Sequence, residues 1–282
     1  MIPRLVDTPF FTDAHRALAD QAVRFRDEVV RPLEHSGSDE DCVALVRALG
    51  ERGLLDFGVH ASGGGRSLGG TGPVDVRSVA ALRDELAYSS GLADLAVIMQ
   101  ALGSGPISLA GTDEQRARWL PGVRAGRTLT AFALTEPGAG SDVAALSTRA
   151  VRDGDTYVLD GHKKFISQAT VADVFCVFAR TSDDGGRGLS CFIVERGTPG
   201  LAVTRQVPMA PHPLGEVHLE GVRVPVSHRV GAEGAGMKVA LGTLDLCRPT
   251  VAAAACGMAR RAADESVGRA RARVQFGKPI GE

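Results

Sequence analysis

A chain of 282 residues, 44% hydrophobic and 23% charged, is long enough for about two ordinary domains, each with its own core. Its 32 basic and 33 acidic side chains are dispersed and leave a formal net charge of −1, so nothing marks a nucleic-acid or membrane-surface binder. The five cysteines, at positions 42, 176, 191, 247 and 256, are odd in number and form no Cys-x-x-Cys pair, and the start, Met1-Ile2-Pro3-Arg4-Leu5-Val6-Asp7, lacks the segments of a signal peptide. No uncharged apolar run reaches membrane-spanning length, and a reduced, soluble, cytoplasmic protein is expected.

Residues 13–33 place Ala17, Leu18, Ala22, Val23, Phe25, Val29 and Val30 at helical spacing among charges, and 41–53 repeat the pattern through Val43, Leu45, Val46 and Leu49. Two antiparallel helices are predicted there. The stretch Ser62 to Gly70 is glycine-rich, but it lacks the Lys-Ser/Thr ending of a P-loop and no G-x-G-x-x-G occurs anywhere, so it reads as an exposed loop. Helices resume over 76–89, 91–102 and 113–125, the last with Thr112 placed to cap it. From about 130 the period changes to two. The runs 156–161, 174–179, 190–194 and 217–220, punctuated by glycine turns, suggest an antiparallel barrel or sandwich. After Gly234 the helical period returns through Met237, Ala240, Leu241 and Leu244, pauses near Asp245 and resumes at Pro249, a residue tolerated early in a helix. The predicted organisation is α+β and multidomain. It comprises an N-terminal helical domain over 1–129, a central β-domain over 130–233, and the start of a C-terminal helical bundle over 234–282.

Residues 131–142, Ala-Phe-Ala-Leu-Thr-Glu-Pro-Gly-Ala-Gly-Ser-Asp, gather hydroxyls, glycines and backbone donors in one short loop after an apolar run. Gly138 and Gly140 let backbone approach a ligand, Pro137 stiffens the entry, and Thr135 and Ser141 add donors. Read alone, this is a cofactor cradle or a plain connector. Four further blocks follow: Gly161-His162-Lys163-Lys164-Phe165-Ile166-Ser167, Val222-Arg223-Val224-Pro225, Leu244-Asp245-Leu246-Cys247-Arg248-Pro249, and Arg273-Val274-Gln275-Phe276-Gly277-Lys278-Pro279-Ile280. In this order and spacing the five blocks resemble the acyl-CoA dehydrogenase family, FAD enzymes that desaturate acyl thioesters between the α and β carbons. The resemblance runs from about the first helix to the last residue.

By position, the resemblance implies FAD contacts at Phe132, Leu134, Thr135, Gly140 and Ser141, and again at Phe165, Ile166 and Ser167, where the family more often has Trp-Ile-Thr. A flavin that accepts hydride at N5 builds negative charge towards N1 and O2, which fixed hydroxyl and backbone donors stabilise. Thr135 is the first candidate donor, and Ser141 serves the phosphates or the thioester ligand. Without the other blocks, Phe165 and Ile166 read as strand packing. Asp245 and Arg248 correspond to a substrate-facing turn that binds the nucleotide or pantetheine end. Their other reading is a helix start with a local salt bridge. Arg273 and Gln275 correspond to residues that hold the FAD pyrophosphate of a neighbouring chain, which implies a homo-oligomer or hetero-oligomer.

The family's base is usually a Glu well beyond the Arg273–Gly277 block, and a minority place it in the turn where this chain has Cys247. A thiolate could act only if Arg248 lowered its pKa, and cysteine is among the most often buried residues, so no catalytic residue is assigned. The expectation is a chain short of the family's four-helix bundle, with Ala252 to Val267 forming an underpartnered apolar face. It is read first as a fragment, then as half of a split enzyme, then as a non-catalytic remnant. The function expected is FAD-dependent α,β-dehydrogenation of an acyl-CoA or acyl-carrier-protein thioester in fatty-acid or specialised metabolism. Electrons would pass to an electron-transfer flavoprotein or another acceptor. The alternative is a flavin- and thioester-binding partner subunit without turnover. No nucleophile elbow, His-Glu-x-x-His or spaced Cys/His cluster occurs, so no metal site is expected. The histidines fall singly, and His162 reads as part of a solvated turn.

Overall fold

The computed structural model describes residues 3–33, 37–69 and 72–282. Met1, Ile2 and Gly70, which entered the sequence readings above, lie outside the described residues. Five helices come first: α1 (Asp13–Phe25), α2 (Asp39–Glu51), α3 (Val76–Ala87), α4 (Gly91–Ala110) and α5 (Asp113–Arg124). The backbone of α1 continues through a π turn at Arg26–Val30 and a 3-10 turn at Arg31–Leu33, so the predicted 13–33 segment is helical throughout but not uniform. Thr112 caps α5 reciprocally, its Oγ1 accepting from Gln115 N at 3.2 Å while Gln115 Oε1 accepts from Thr112 N at 3.0 Å. The described part of the glycine-rich stretch is largely exposed, apart from Gly63.

The central region holds β1 (Thr130–Ala133), β2 (Arg149–Asp153), β3 (Thr156–Ser167), β4 (Val174–Arg180), β5 (Leu189–Glu195), β6 (Leu201–Arg205), β7 (Leu214–Pro225) and β8 (Arg229–Val230). They form one sheet in the order β6-β7-β3-β2-β4-β5-β8, with β1 also on β4. Most pairings are antiparallel, but β1 and β2 both run parallel to β4, Thr130 opposite Val174 and Arg149 opposite Arg180. The two therefore follow one another along the same edge of β4, and the loop 134–148 leaves the strand line between them. Strands β4 and β5 are buried on both faces. Phe175, Val177 and Phe192 pack on one side with Tyr157 and Val217, while Cys176, Phe178 and Ile193 pack on the other with Ile107, Trp119 and Leu120 of the helices.

Helix α4 runs on to Ala110, past the predicted end at 102, because its glycines let it lie against two neighbours. A Cβ at Gly103 would meet Thr130 Oγ1 at 2.5 Å, and one at Gly105 would meet Thr243 Cγ2 at 2.5 Å. The first contact seats the helical layer on β1, and the second seats the last helix, α6 (Gly236–Ala272), across α4. Helix α6 is unbroken for 37 residues, which corrects the predicted pause at Asp245 and the pair of helices inferred from it. Pro249 lies inside it, and Thr250 Oγ1 donates to Cys247 O at 2.7 Å beside the lost backbone donor. Packing along α3 and α4 overrides the local breaker. On α6, Ala253 and Ala254 are buried, whereas Val251, Met258 and Val267 are exposed. A hairpin of β9 (Val274–Gln275) and β10 (Lys278–Pro279) follows.

Among the described residues, α4 and α6 each carry a window long and apolar enough to cross a membrane by length and composition. The α4 window is 83% buried inside the protein, as a core helix is.

Candidate functional site

A cleft of about 390 Å³ opens where the 134–148 loop, the end of β3, α4 and α6 meet. Phe132, Leu134, Thr135, Gly140 and Ser141 line it from β1 and the loop, and Phe165, Ile166 and Ser167 from β3. Arg248 closes it from α6. The structure thus brings the eight β-domain positions for which the resemblance implied FAD contact, and Arg248, to one surface, whereas Pro137, Gly138 and the Val222–Pro225 block are not in the lining. Asp245 is not part of the lining. Its Oδ1 accepts from Arg248 Nη1 at 2.5 Å on the exposed side of α6, the local salt bridge that was the second reading of that block. Nor do Arg273 and Gln275 reach the cleft lining; both are exposed where α6 gives way to the hairpin.

A buried ion pair holds the loop in place. Lys163 has no exposed surface, and its Nζ donates to Glu136 Oε1 at 2.8 Å and to Leu134 O at 3.1 Å. Glu136 also accepts from Ser147 N and Oγ, both at 2.7 Å, and from Thr148 N at 3.0 Å. Burial alone would raise the Glu136 carboxyl, but the Lys163 charge and these donors hold it down at about 2. Burial pulls Lys163 down to about 8, against the pull of Glu136, so the pair is charged at neutral pH. Glu136 and Ala139 exchange backbone hydrogen bonds at 2.9 and 3.2 Å, folding Pro137-Gly138 into a tight turn, and Lys164 N donates to Thr135 O at 2.8 Å. Neither Glu136 nor Lys163 was given a role from sequence. Strand alternation was the available signal, since Tyr157, Leu159 and Lys163 share the inward register of β3, and a lone inward lysine requires an acid.

Beyond Lys163 the β3–β7 register slips, and Phe165 takes φ +57° and Gln168 φ +60°. Left-handed backbone at a bulky residue is strained by about 1–3 kcal/mol and persists only where its surroundings impose it. The bulge leaves Phe165 60% exposed, an aromatic side chain on the cleft wall. The hydroxyls of Thr135, Ser141 and Ser167 make no hydrogen bond among the described residues, so three polar groups in the lining are free for a ligand. Met99 and Leu102 of α4, Val143, and Leu241 and Leu244 of α6 complete the lining and were not foreseen as site residues. Their spacing, three apart on α4 and 241, 244 and 248 on α6, marks one face of each helix.

Cys247 faces elsewhere. With Val79, Ala101, Gly105, Thr243 and Thr250 it lines a separate apolar pocket of about 10 Å³. Burial pushes its thiol up to about 11 despite the opposing charge of Arg83, which removes it as a base.

Three family models match in succession: the acyl-CoA dehydrogenase N-terminal domain at residues 12–127, the middle domain at 131–222 and the C-terminal domain at 234–282. The chain belongs to the acyl-CoA dehydrogenase family. An acyl-CoA dehydrogenase of Bacillus subtilis is 34% identical over 247 residues, covering 86% of this chain and 64% of that protein. A cyclohex-1-ene-1-carbonyl-CoA dehydrogenase of Geobacter metallireducens is 41% identical over 233 residues, covering 81% and 60%. The chain therefore spans less than two-thirds of the length of these curated relatives. Among solved structures, an acyl-CoA dehydrogenase of Bacillus anthracis complexed with FAD superposes with a TM-score of 0.86 at 31% identity, over 98% of this chain and 47% of that one. Acyl-CoA dehydrogenases use FAD, and the cleft has the aromatic wall and free hydroxyls that a flavin requires.

Proposed function

We propose that this chain binds FAD in the cleft and takes part in the α,β-dehydrogenation of an acyl-CoA or acyl-carrier-protein thioester, with an electron-transfer flavoprotein or another acceptor receiving the electrons. The carrying observation is the convergence of Phe132, Thr135, Ser141, Phe165 and Ser167 on one cleft whose loop is locked by Glu136 and Lys163. FAD, when bound, supplies the two-electron acceptor. The chain's own residues hold and shape the site. Phe132, Leu134 and Ile166 exclude water, Phe165 offers a flat apolar face, and the free hydroxyls of Thr135 and Ser167 donate where negative charge develops. Ser141, at the exposed rim, suits a phosphate or thioester oxygen, and Arg248 supplies a cation to the phosphate-bearing end of a ligand. Arg273 and Gln275, exposed beyond the cleft, are assigned to the FAD pyrophosphate of a neighbouring subunit in an oligomer.

Among the described residues, no carboxylate lines the cleft, so proton removal from the α carbon is assigned to a group outside this lining. The same observation favours, as second reading, a flavin- and thioester-binding subunit without turnover. Anaerobic titration of the purified protein with acyl-CoAs of several lengths, followed by flavin absorbance, separates them. Bleaching is the result expected of a dehydrogenase. A perturbed but unbleached flavin spectrum supports the second reading, and a protein that retains no FAD when reconstituted overturns both.

A further inference from the structure

The sequence showed histidines falling singly, yet the fold brings two of them together. His162 lies on β3, not in a turn, and is the direct cross-strand partner of His218 on β7. Their rings stack at 4.3 Å between centroids, 18° from parallel. Glu216 precedes His218 by two residues on β7, so all three side chains stand on the same face of the sheet. His162 Nε2 and Glu216 Oε2 are 2.6 Å apart, and one ligand atom from each of the three residues lies within 4.8 Å of the others.

We propose that His162, Glu216 and His218 form a binding site for a divalent transition-metal ion such as zinc. Two imidazoles and a carboxylate are the donors that such ions prefer, and three protein ligands leave a fourth position for water or an exogenous ligand. The ligands are half-buried, enough to be held by the sheet and open enough for an ion to enter. Strand β6 backs the site on the far side of β7, where Ala202 pairs with His218 and Thr204 with Glu216. Both are short side chains and crowd neither ligand. Lys164 Nζ lies 3.6 Å from Glu216 Oε1, the oxygen not used by His162, and balances the carboxylate when no ion is bound.

The site connects to the cleft. Gln206 Nε2 donates to Glu216 Oε1 at 2.8 Å, and Gln206 Oε1 accepts from Phe165 N at 3.3 Å. An ion that fixes Glu216 also fixes the residue anchoring the strained backbone of Phe165.

The test uses the untagged 282-residue chain, stripped with chelator and titrated with zinc chloride by calorimetry. One ion per chain is expected. His162→Ala, His218→Ala and Glu216→Gln should each weaken binding by at least about tenfold, the scale on which metal sites respond to lost support. Cobalt(II) should give the visible absorption of a four- or five-coordinate nitrogen and oxygen site, and that band should vanish in H162A/H218A. Zinc affinity unchanged in the double variant, or no uptake at millimolar zinc, overturns the proposal. Should the double variant fail to fold, the wild-type cobalt spectrum decides, since a purely six-coordinate aquo spectrum overturns it as well.

Discussion

Lys163 is a cation without exposed surface, and its neighbours explain why it is tolerated. With Glu136 in place, both charges are paired and the remaining carboxylate lone pairs are met by Ser147 and Thr148. Removing one member strands the other, which typically costs about 3–5 kcal/mol, whereas removing both exchanges a desolvated pair for packing. Lys163→Met and Glu136→Gln are therefore each expected to be strongly destabilising in urea titrations, and the double variant less so than their sum. The pH dependence follows from the lowered Glu136 value. Its contribution is complete above the ordinary carboxylate range near 4.5 and is lost as pH falls through about 2. Wild-type stability should fall across that window, and E136Q should fall less steeply. Because the pair anchors the loop at Leu134 and Glu136, on either side of Thr135, the single variants should also lose FAD under conditions where the fold survives.

At the scale of elements, the cleft depends on how closely α4 approaches β1. Gly103→Val would place its Cβ 2.7 Å from Thr130 Cβ and 2.8 Å from the Thr130 carbonyl carbon, so backbone must move. A loss of about 1–3 kcal/mol is expected from such overpacking, with α4 displaced from the cleft wall. The check is thermal unfolding alongside FAD affinity, and an unchanged variant would show that the approach is not tight. Local signals made several elements legible in the sequence: Thr112 announced α5, and short β-rich runs punctuated by glycine turns announced β3, β4, β5 and β7, the two central ones as continuous apolar runs. The Thr135–Asp142 and Gly161–Ser167 blocks located one wall of the cleft for the same reason, since each is a continuous stretch. The opposite wall was hidden because Met99, Leu102, Leu241 and Leu244 become neighbours of the loop only through helix packing. Likewise Pro249 and Asp245 read as a break, because nothing local shows that α3 and α4 hold α6 straight. The parallel course of β1 and β2 on β4, and the meeting of His162 with His218, are also properties of pairing rather than of any one segment.

Across the whole molecule, α6 acts as a strut about 55 Å long at ~1.5 Å per residue, joining two cores. Near its start Val239 and Ala240 enter the core shared by the sheet and α5, where Trp119 lies. Further along, the helix is fastened to α3. Arg83 holds Asp94 at 2.6 and 2.7 Å and donates to Thr250 Oγ1 at 2.9 Å, and Arg260 donates to Asp84 Oδ2 at 3.0 Å and lies 3.3 Å from Glu85 Oε2. Glu85 keeps its ion pairs with Arg4 and Arg26 if Arg260 is lost, but Asp84, among the described residues, keeps the Leu5 amide and the more distant charge of Arg4 without an ion pair of its own. Burial already raises the Asp84 carboxyl, with Arg260 opposing. Arg260→Met should therefore cost about 3–5 kcal/mol. A carboxyl raised in the folded state is disfavoured when ionised, so the deficit should be largest at neutral and higher pH and shrink as pH falls towards the carboxylate range. The strut also determines how the loss is distributed. Because α6 ties both cores together, Trp119 fluorescence on the sheet side and far-ultraviolet circular dichroism of the helices should shift to the same lowered midpoint. Two separate transitions in R260M, with the Trp119 signal unmoved, would show that the cores unfold independently and that α6 does not couple them.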